Sequence, residues 1–310
     1  MNQQSSKIPF YVKRSSTERI GVTFDFFKDN WKVILKYATW LILPVCVVQA
    51  LFMDTIAGGM FERQLIQRAG ETVLESFGAG MIASFIVIIL CSLFTSVLLT
   101  SLLYALMQTY HGREEGLKGI TISELKDKII RNVKRSLRVI LFYLALMFIV
   151  GVLLSYFNAI TRLTLFLIVP LVCVCALPLA LFTPYYLFEN VGIIKAFTKS
   201  FRLGVATWGG VFVVVLILGI IGVILGGITS VPWYVAFVVK QLFIFNDVQS
   251  EVTVSAGYTI MLYLFTVIQL FGVCFANMFT VIGLAYQYSH AREKIDNVSV
   301  SSIDNFGQSS

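Results

Sequence analysis

Long apolar runs separated by short polar segments set the pattern of this chain. Six runs are long enough to cross a hydrocarbon core of about 30 Å, which takes about 20 helical residues. They are Val33 to Met53, Met81 to Met107, Arg138 to Phe157, Leu163 to Leu187, Trp208 to Ile228 and Tyr258 to Tyr286. Ahead of three of them the spacing becomes amphipathic. Ile20, Phe24, Phe27 and Trp31 recur at helical intervals, then Ile122, Leu125, Ile129, Val133 and Leu137, then Ile193, Ile194, Phe197, Phe201 and Trp208. The first two of these helices open on S/T-x-x-E capping boxes, Ser15 to Glu18 and Thr121 to Glu124.

These segments are copies of one another. A shift of 106 residues lays Trp31-Lys32-Val33-Ile34-Leu35-Lys36-Tyr37 on Leu137-Arg138-Val139-Ile140-Leu141-Phe142-Tyr143. A shift of 177 lays Thr23 to Phe26 on Ser200 to Leu203 and Trp31 on Trp208. The expected fold is therefore all-α: a polytopic membrane protein whose six transmembrane helices form three parallel hairpin repeats, each preceded by a cytoplasmic amphipathic helix. The units are 15–114, 121–189 and 190–293, all within one membrane domain 15–294, with a polar N-terminus 1–14 and a flexible tail 295–310. The first amphipathic helix should lie in the membrane plane and turn inward near Asn30-Trp31. Phe61 to Phe77 reads as an outer interfacial helix, and Pro232 to Phe245 as an interfacial or re-entrant one, too short for a further span.

Composition agrees with the pattern. Hydrophobic residues are 57%, charged residues 13% and mean hydropathy is +0.83, far from soluble averages. Of 24 Lys and Arg, 20 fall in Met1 to Lys36 (seven), Thr109 to Arg138 (eight), Glu189 to Ala206 (three) and Ser289 to Ser310 (two). By the positive-inside rule both termini are expected in the cytoplasm, where the excess of +7 faces anionic headgroups. Met1 to Arg19 is polar and predicts no cleavable signal. The five cysteines lie in apolar runs without C-x-x-C spacing, which predicts neither disulfides nor thiolate metal sites.

Candidate contacts cluster at the expected inner interface. Trp31 and Trp208 fit an aromatic belt, and Lys36 can reach back to the headgroups from just inside its span. Lys126, Lys128, Arg131, Lys134 and Arg135 should decorate the face opposite the second apolar stripe, the composition of a helix on an anionic leaflet. That segment has no aromatic residue for base stacking, so a nucleic-acid partner is not expected. A second signature, Q-x-x-H-[G/A]-R-E, closes spans two and six as Gln108, His111, Arg113, Glu114 and Gln287, His290, Arg292, Glu293. Interfacial anchoring explains it; the alternative is a shared site in which the two histidines hold a metal or the arginines a phosphate. Unit two ends instead in Pro184-Tyr185-Tyr186-Leu187-Phe188-Glu189. Within the membrane the polar residues worth naming are Gln49, Gln269 and Asn277, and Gly222 to Gly226 forms a G-x-x-x-G packing motif.

The amphipathic entry, S/T-F-x-[F/L]-x4-W, the paired spans and the aromatic-to-Arg-Glu exits resemble uncharacterised bacterial inner-membrane families related to the membrane domain of glycerophosphoryl diester phosphodiesterases. The resemblance covers nearly the whole chain and implies topology and a bacterial cell-membrane location. It transfers no catalytic residue, because the hydrolase of that family is a separate soluble barrel. Nucleophile elbows, zincin motifs and phosphate loops are missing from the sequence. No cofactor is expected. The functional expectation is a non-enzymatic membrane subunit organising anionic lipids or other membrane proteins. The alternatives are a transporter or exporter of a lipid, peptide or small molecule, and a membrane enzyme using His111 and His290.

Overall fold

The structure, a computed structural model, describes residues 7–67, 79–160, 168, 170, 172, 174–246 and 255–299. Among these residues there is helix and no strand. The elements are α1 (Ser16–Gln67), α2 (Ala79–Gly112), α3 (Ile122–Ile160), a 3-10 turn (Leu177–Leu181), α4 (Phe182–Phe188), α5 (Ile193–Ala206), α6 (Trp208–Asn246) and α7 (Ala256–Asp296). Five of them, α1, α2, α3, α6 and α7, are long and apolar enough to cross a membrane. Of the sixth predicted span, the continuously described part is the shorter apolar stretch Val174–Phe188. The predicted outer helix Phe61 to Phe77 is helical as far as Gln67, and the rest lies outside the described residues, as does the tail beyond residue 299.

Three expected breaks are absent. α1 runs unbroken through Asn30-Trp31, where the buried Asn30 side chain donates to the Phe26 carbonyl four residues back at 2.9 Å. α3 joins its basic segment to its span in one rod. Pro232 to Phe245 is neither re-entrant nor a separate interfacial element: it is the continuation of α6. Only α5 stands apart from the helix that follows. There Thr207 leaves helical geometry (φ −122°, ψ 27°) while its hydroxyl donates to the Leu203 carbonyl at 2.8 Å.

The buried faces also differ from expectation. In α1 the buried positions are Arg19, Thr23, Phe26 and Asn30, one step off the apolar stripe, which leaves Trp31 exposed. In α3 they are Leu125, Ile129, Asn132 and Ser136, while Ile122 and Leu137 of the predicted stripe are exposed. In α5 and its end they are Ala196, Ser200, Leu203 and Thr207. These faces mix apolar side chains with polar groups that find partners inside the protein, as Asn132 does at the Ser101 carbonyl (3.3 Å). These buried positions recur at the offsets read from the sequence, 106 and 177: 19, 125, 196; 23, 129, 200; 26, 132, 203; 30, 136, 207.

The chain falls into two compact units. Unit 1 comprises Met1–Ile34, Thr100–Ile220 and Met278–Ser310, and unit 2 comprises Leu35–Leu99 and Ile221–Asn277. Unit 1 is built around large buried aromatic rings: Phe26, Tyr104, Phe182, Tyr185, Tyr186, Tyr286 and Tyr288. In unit 2 the Gln49 amide donates to the Ser92 hydroxyl at 3.0 Å and the Tyr263 hydroxyl to the Val47 carbonyl at 3.0 Å. Its predicted glycine motif is roomier than expected, since a methyl at Gly222 or Gly226 would sit 3.8 Å from the Ala276 carbonyl or 3.7 Å from Val273. The tight approach there is at Gly272, whose added Cβ would lie 2.7 Å from Thr229 Cγ2.

In unit 1 the equivalent close approach is Gly204, where a Cβ would come within 2.6 Å of the Pro178 Cα, a backbone atom that cannot swing away. Gly204→Ala should therefore cost about 1–3 kcal/mol by overpacking. Gly219→Ala, with nothing within 4 Å, serves as the control and should be close to neutral. Thermal unfolding of the two variants in detergent, followed by near-ultraviolet circular dichroism, reads the difference.

Candidate functional site

Within unit 1, the C-terminal ends of α2, α4 and α7 are tied together by a segment that the sequence reading treated as a polar leader. Residues 7–15 form a non-helical strap. Lys7 Nζ donates to the His111 and Arg113 carbonyls at 2.8 and 3.1 Å, satisfying acceptors freed where α2 ends. The Ile8 N–H donates to the Tyr110 hydroxyl at 3.2 Å. The Phe10 ring then sits among His111 (4.6 Å between centroids), Phe188 (4.9 Å), Tyr286 (6.0 Å) and Tyr288 (6.4 Å), touching all three helix ends. Tyr11 and Tyr288 share a hydrogen bond, and burial holds the Tyr11 phenol above its ordinary value, so it stays protonated. The Arg14 N–H donates to His290 Nδ1 at 2.9 Å. The strap ends in the predicted capping box: the Ser15 N–H donates to Glu18 Oε2 (2.8 Å) and the Glu18 N–H to Ser15 Oγ (3.2 Å).

The two repeated glutamines do comparable work. Gln108 accepts from Arg131 (3.4 Å) and Asn132 (3.3 Å) of α3 and donates to the Leu187 carbonyl at 3.0 Å. Gln287 accepts from the buried Arg19 of α1 and donates to the Thr207 hydroxyl at 3.4 Å. Each exit glutamine thus reads a cation on an entry helix. The two histidines have different surroundings: the His111 ring lies against Phe10, tilted by 33°, and His290 Nδ1 accepts from the strap. Among the described residues no group of three or more His, Cys, Asp or Glu gathers as a metal site requires.

The arginines of the signature find different carboxylates. Arg113 pairs with Glu124 of the second capping box at 2.7 Å, and Glu114 is exposed. Arg292 pairs with Glu189 at 3.0 Å and with Asp296, while Glu293 accepts from the Ser299 N–H at 3.0 Å. Glu189 also accepts from the Tyr288 hydroxyl at 2.6 Å. The exit of unit two, which lacks the signature, therefore supplies the counter-charge for the signature of unit three. Sequence reading missed Glu189, Arg19 and Phe10. Arg19 lies at a buried register position of its helix, and that phase was the available signal.

The remaining candidates are spread out. Trp31 is exposed, with Lys32 above its ring, and Trp208 donates from Nε1 to the Val174 carbonyl at 3.3 Å. Lys126 and Lys134 are exposed, Lys128 donates to the Thr109 hydroxyl at 2.9 Å, and Arg135 is buried, contrary to the exposed face expected for it. In unit 2, Gln49 is paired with Ser92, Asn277 is exposed and Gln269 Oε1 has no partner among the described residues. Compared with known proteins, the chain matches no family model, no curated protein and no solved structure. Fold and site define the class as an all-helical chain with membrane-spanning character.

The Glu189 junction yields a graded expectation. Glu189→Gln removes one of the two carboxylates paired with the largely buried Arg292, leaving Asp296, and should cost about 1–3 kcal/mol. Glu124→Gln breaks a more exposed pair and should cost about 0–1 kcal/mol. Chemical unfolding in mixed detergent micelles ranks the two variants.

Proposed function

We propose that this chain is a non-enzymatic integral membrane subunit that gathers lipid or protein partners at the inner face of a bacterial cell membrane, with both termini cytoplasmic. Its architecture on this reading is three parallel hairpins about an axis along the membrane normal, each opened by an amphipathic entry segment that is continuous with the following helix in α1 and α3 and set off from it in α5. The recurring buried positions at offsets of 106 and 177 support the repeat. So do the contacts around Phe10: the exit of unit one meets the entry of unit two through Gln108 and Asn132, that of unit two meets unit three through Phe182 and Phe197 (5.8 Å), and that of unit three meets unit one through Gln287 and Arg19. The likeness to the membrane domain of the phosphodiesterase family then reflects shared topology.

One observation carries the functional reading. The entry helices expose cations and large apolar side chains on the same face. In α5, Ile194, Phe201 and Val205 are exposed alongside Lys195 and Lys199, and the helix has no acidic residue. In α3, Ile122, Ile130 and Leu137 are exposed alongside Lys126 and Lys134. A water-facing surface would leave those apolar groups hydrated, whereas the boundary between headgroups and acyl chains satisfies both kinds at once.

Extraction of the tagged chain from its native membrane in a mild detergent, followed by native mass spectrometry, tests the proposal. The expected result is recovery with bound anionic lipid, co-purifying protein, or both. A lone monomer carrying neither would overturn it.

A further inference from the structure

α3 carries a row of four cations on one flank, Lys128, Arg131, Arg135 and Arg138, at i, i+3, i+7 and i+10. At 1.5 Å per residue the row spans about 15 Å. Its described hydrogen bonds all go to neutral acceptors: the Thr109 hydroxyl, the Gln108 amide oxygen, the Tyr186, Glu189 and Lys134 carbonyls and the Asn190 amide oxygen. Of the carboxylates at the start of α3, Glu124 is paired with Arg113, and Asp127, four residues before Arg131, is exposed. Arg135 is only 8% exposed, its guanidinium lies 4.2 Å over the Tyr186 ring, and its buried Nε has no partner among the described residues. Arg138 approaches the same ring at 5.8 Å. Desolvated guanidinium without a counter-ion is unfavourable, and the face of one ring offsets only part of that cost.

The full row of four is found on α3 alone among the three entry segments. Val22, Asp25, Asp29 and Lys32 stand at the matching positions of α1, and Lys199, Arg202, Ala206 and Gly209 at those of the third segment. Beyond Arg138 the same helix exposes Leu141, Leu144 and Phe148, so a phosphate held by the arginines would have an apolar track leading away from it.

We infer that this flank is a seat for an anionic phospholipid, with the phosphodiester held by the exposed Arg131 and Arg138 and the acyl chains lying along Leu141, Leu144 and Phe148. Guanidinium suits this ligand because its planar donors match two phosphate oxygens at once. The seat rests on the partner-organising reading above and names one partner of it.

The test uses the full chain in neutral phosphatidylcholine nanodiscs, titrated with phosphatidylglycerol and read by native mass spectrometry. Phosphatidylglycerol should be retained over added phosphatidylcholine, and Arg131→Gln with Arg138→Gln should weaken it by about tenfold or more. Arg131→Lys with Arg138→Lys, which keeps charge and loses the fork, should fall between. Glycerol 3-phosphate and inorganic phosphate, lacking tails, should not displace the lipid at equal concentration. Equal retention of both lipids, unchanged binding in the Gln variant, or displacement by free phosphate would each overturn the seat. Should the Gln variant fail to fold, the wild-type competition arms decide alone. Native extracts holding protein partners but no anionic lipid would remove the seat and leave the broader reading standing.

Discussion

Polar groups buried inside the protein have to be satisfied by the protein itself, and that constraint governs the entry helices of this chain. A buried hydroxyl, amide or guanidinium has no water to fall back on, so each must point inward to a partner. Thr23 returns to the Arg19 carbonyl, Asn30 to Phe26, Asn132 to Ser101 and Gln108, and Arg19 to Gln287. The apolar side chains are then free to face outward. The expected stripe of α1 accordingly lies on exposed or half-exposed flanks, and that of α3 is divided, with Leu125 and Ile129 buried and Ile122 and Leu137 exposed.

The same constraint explains the strap. Helix ends leave carbonyls without intrahelical partners, and three such ends meet around Phe10. Lys7 serves the end of α2, Arg135 serves the end of α4 through the Tyr186 and Glu189 carbonyls, and Arg14 couples the strap to α7 through His290. Cations near helix C-termini are also favoured by the macrodipole. Basic residues at these ends thus have an internal task, and the excess positive charge of the chain is only partly a signal to the membrane. The cations that remain exposed, Lys126, Lys134, Lys195, Lys199, Arg131 and Arg138, are the ones left to meet partners.

Much of this was legible in the residues. Apolar run length located five long helices, both capping boxes were visible as S/T-x-x-E, and Ser15 to Glu18 closes as such a box should. Positions separated by 106 and 177 share a burial register, which coincides with the expected stripe at Leu125 and Ile129 of α3 and departs from it in α1. Of the stripe expected to face the membrane in α1, Trp31 is exposed, while Phe24 and Phe27 lie 5.1 and 4.8 Å from the Phe279 ring. The strap itself was illegible. Phe10, Tyr11 and Arg14 form no periodic pattern, and their partners lie about 100 to 280 residues away in the chain. Glu189 was hidden because the signature it completes belongs to another segment.

The central claim is the inward polar face, and a spin-label scan along α3 from residue 122 to 141 in liposomes, in a cysteine-free background, addresses it most directly. Collision with lipid-soluble oxygen should be greatest at 130, 137 and 141 and least at 125, 129, 132 and 136. Maxima at 125, 129 and 132, with shielding at 130 and 137, would contradict the account.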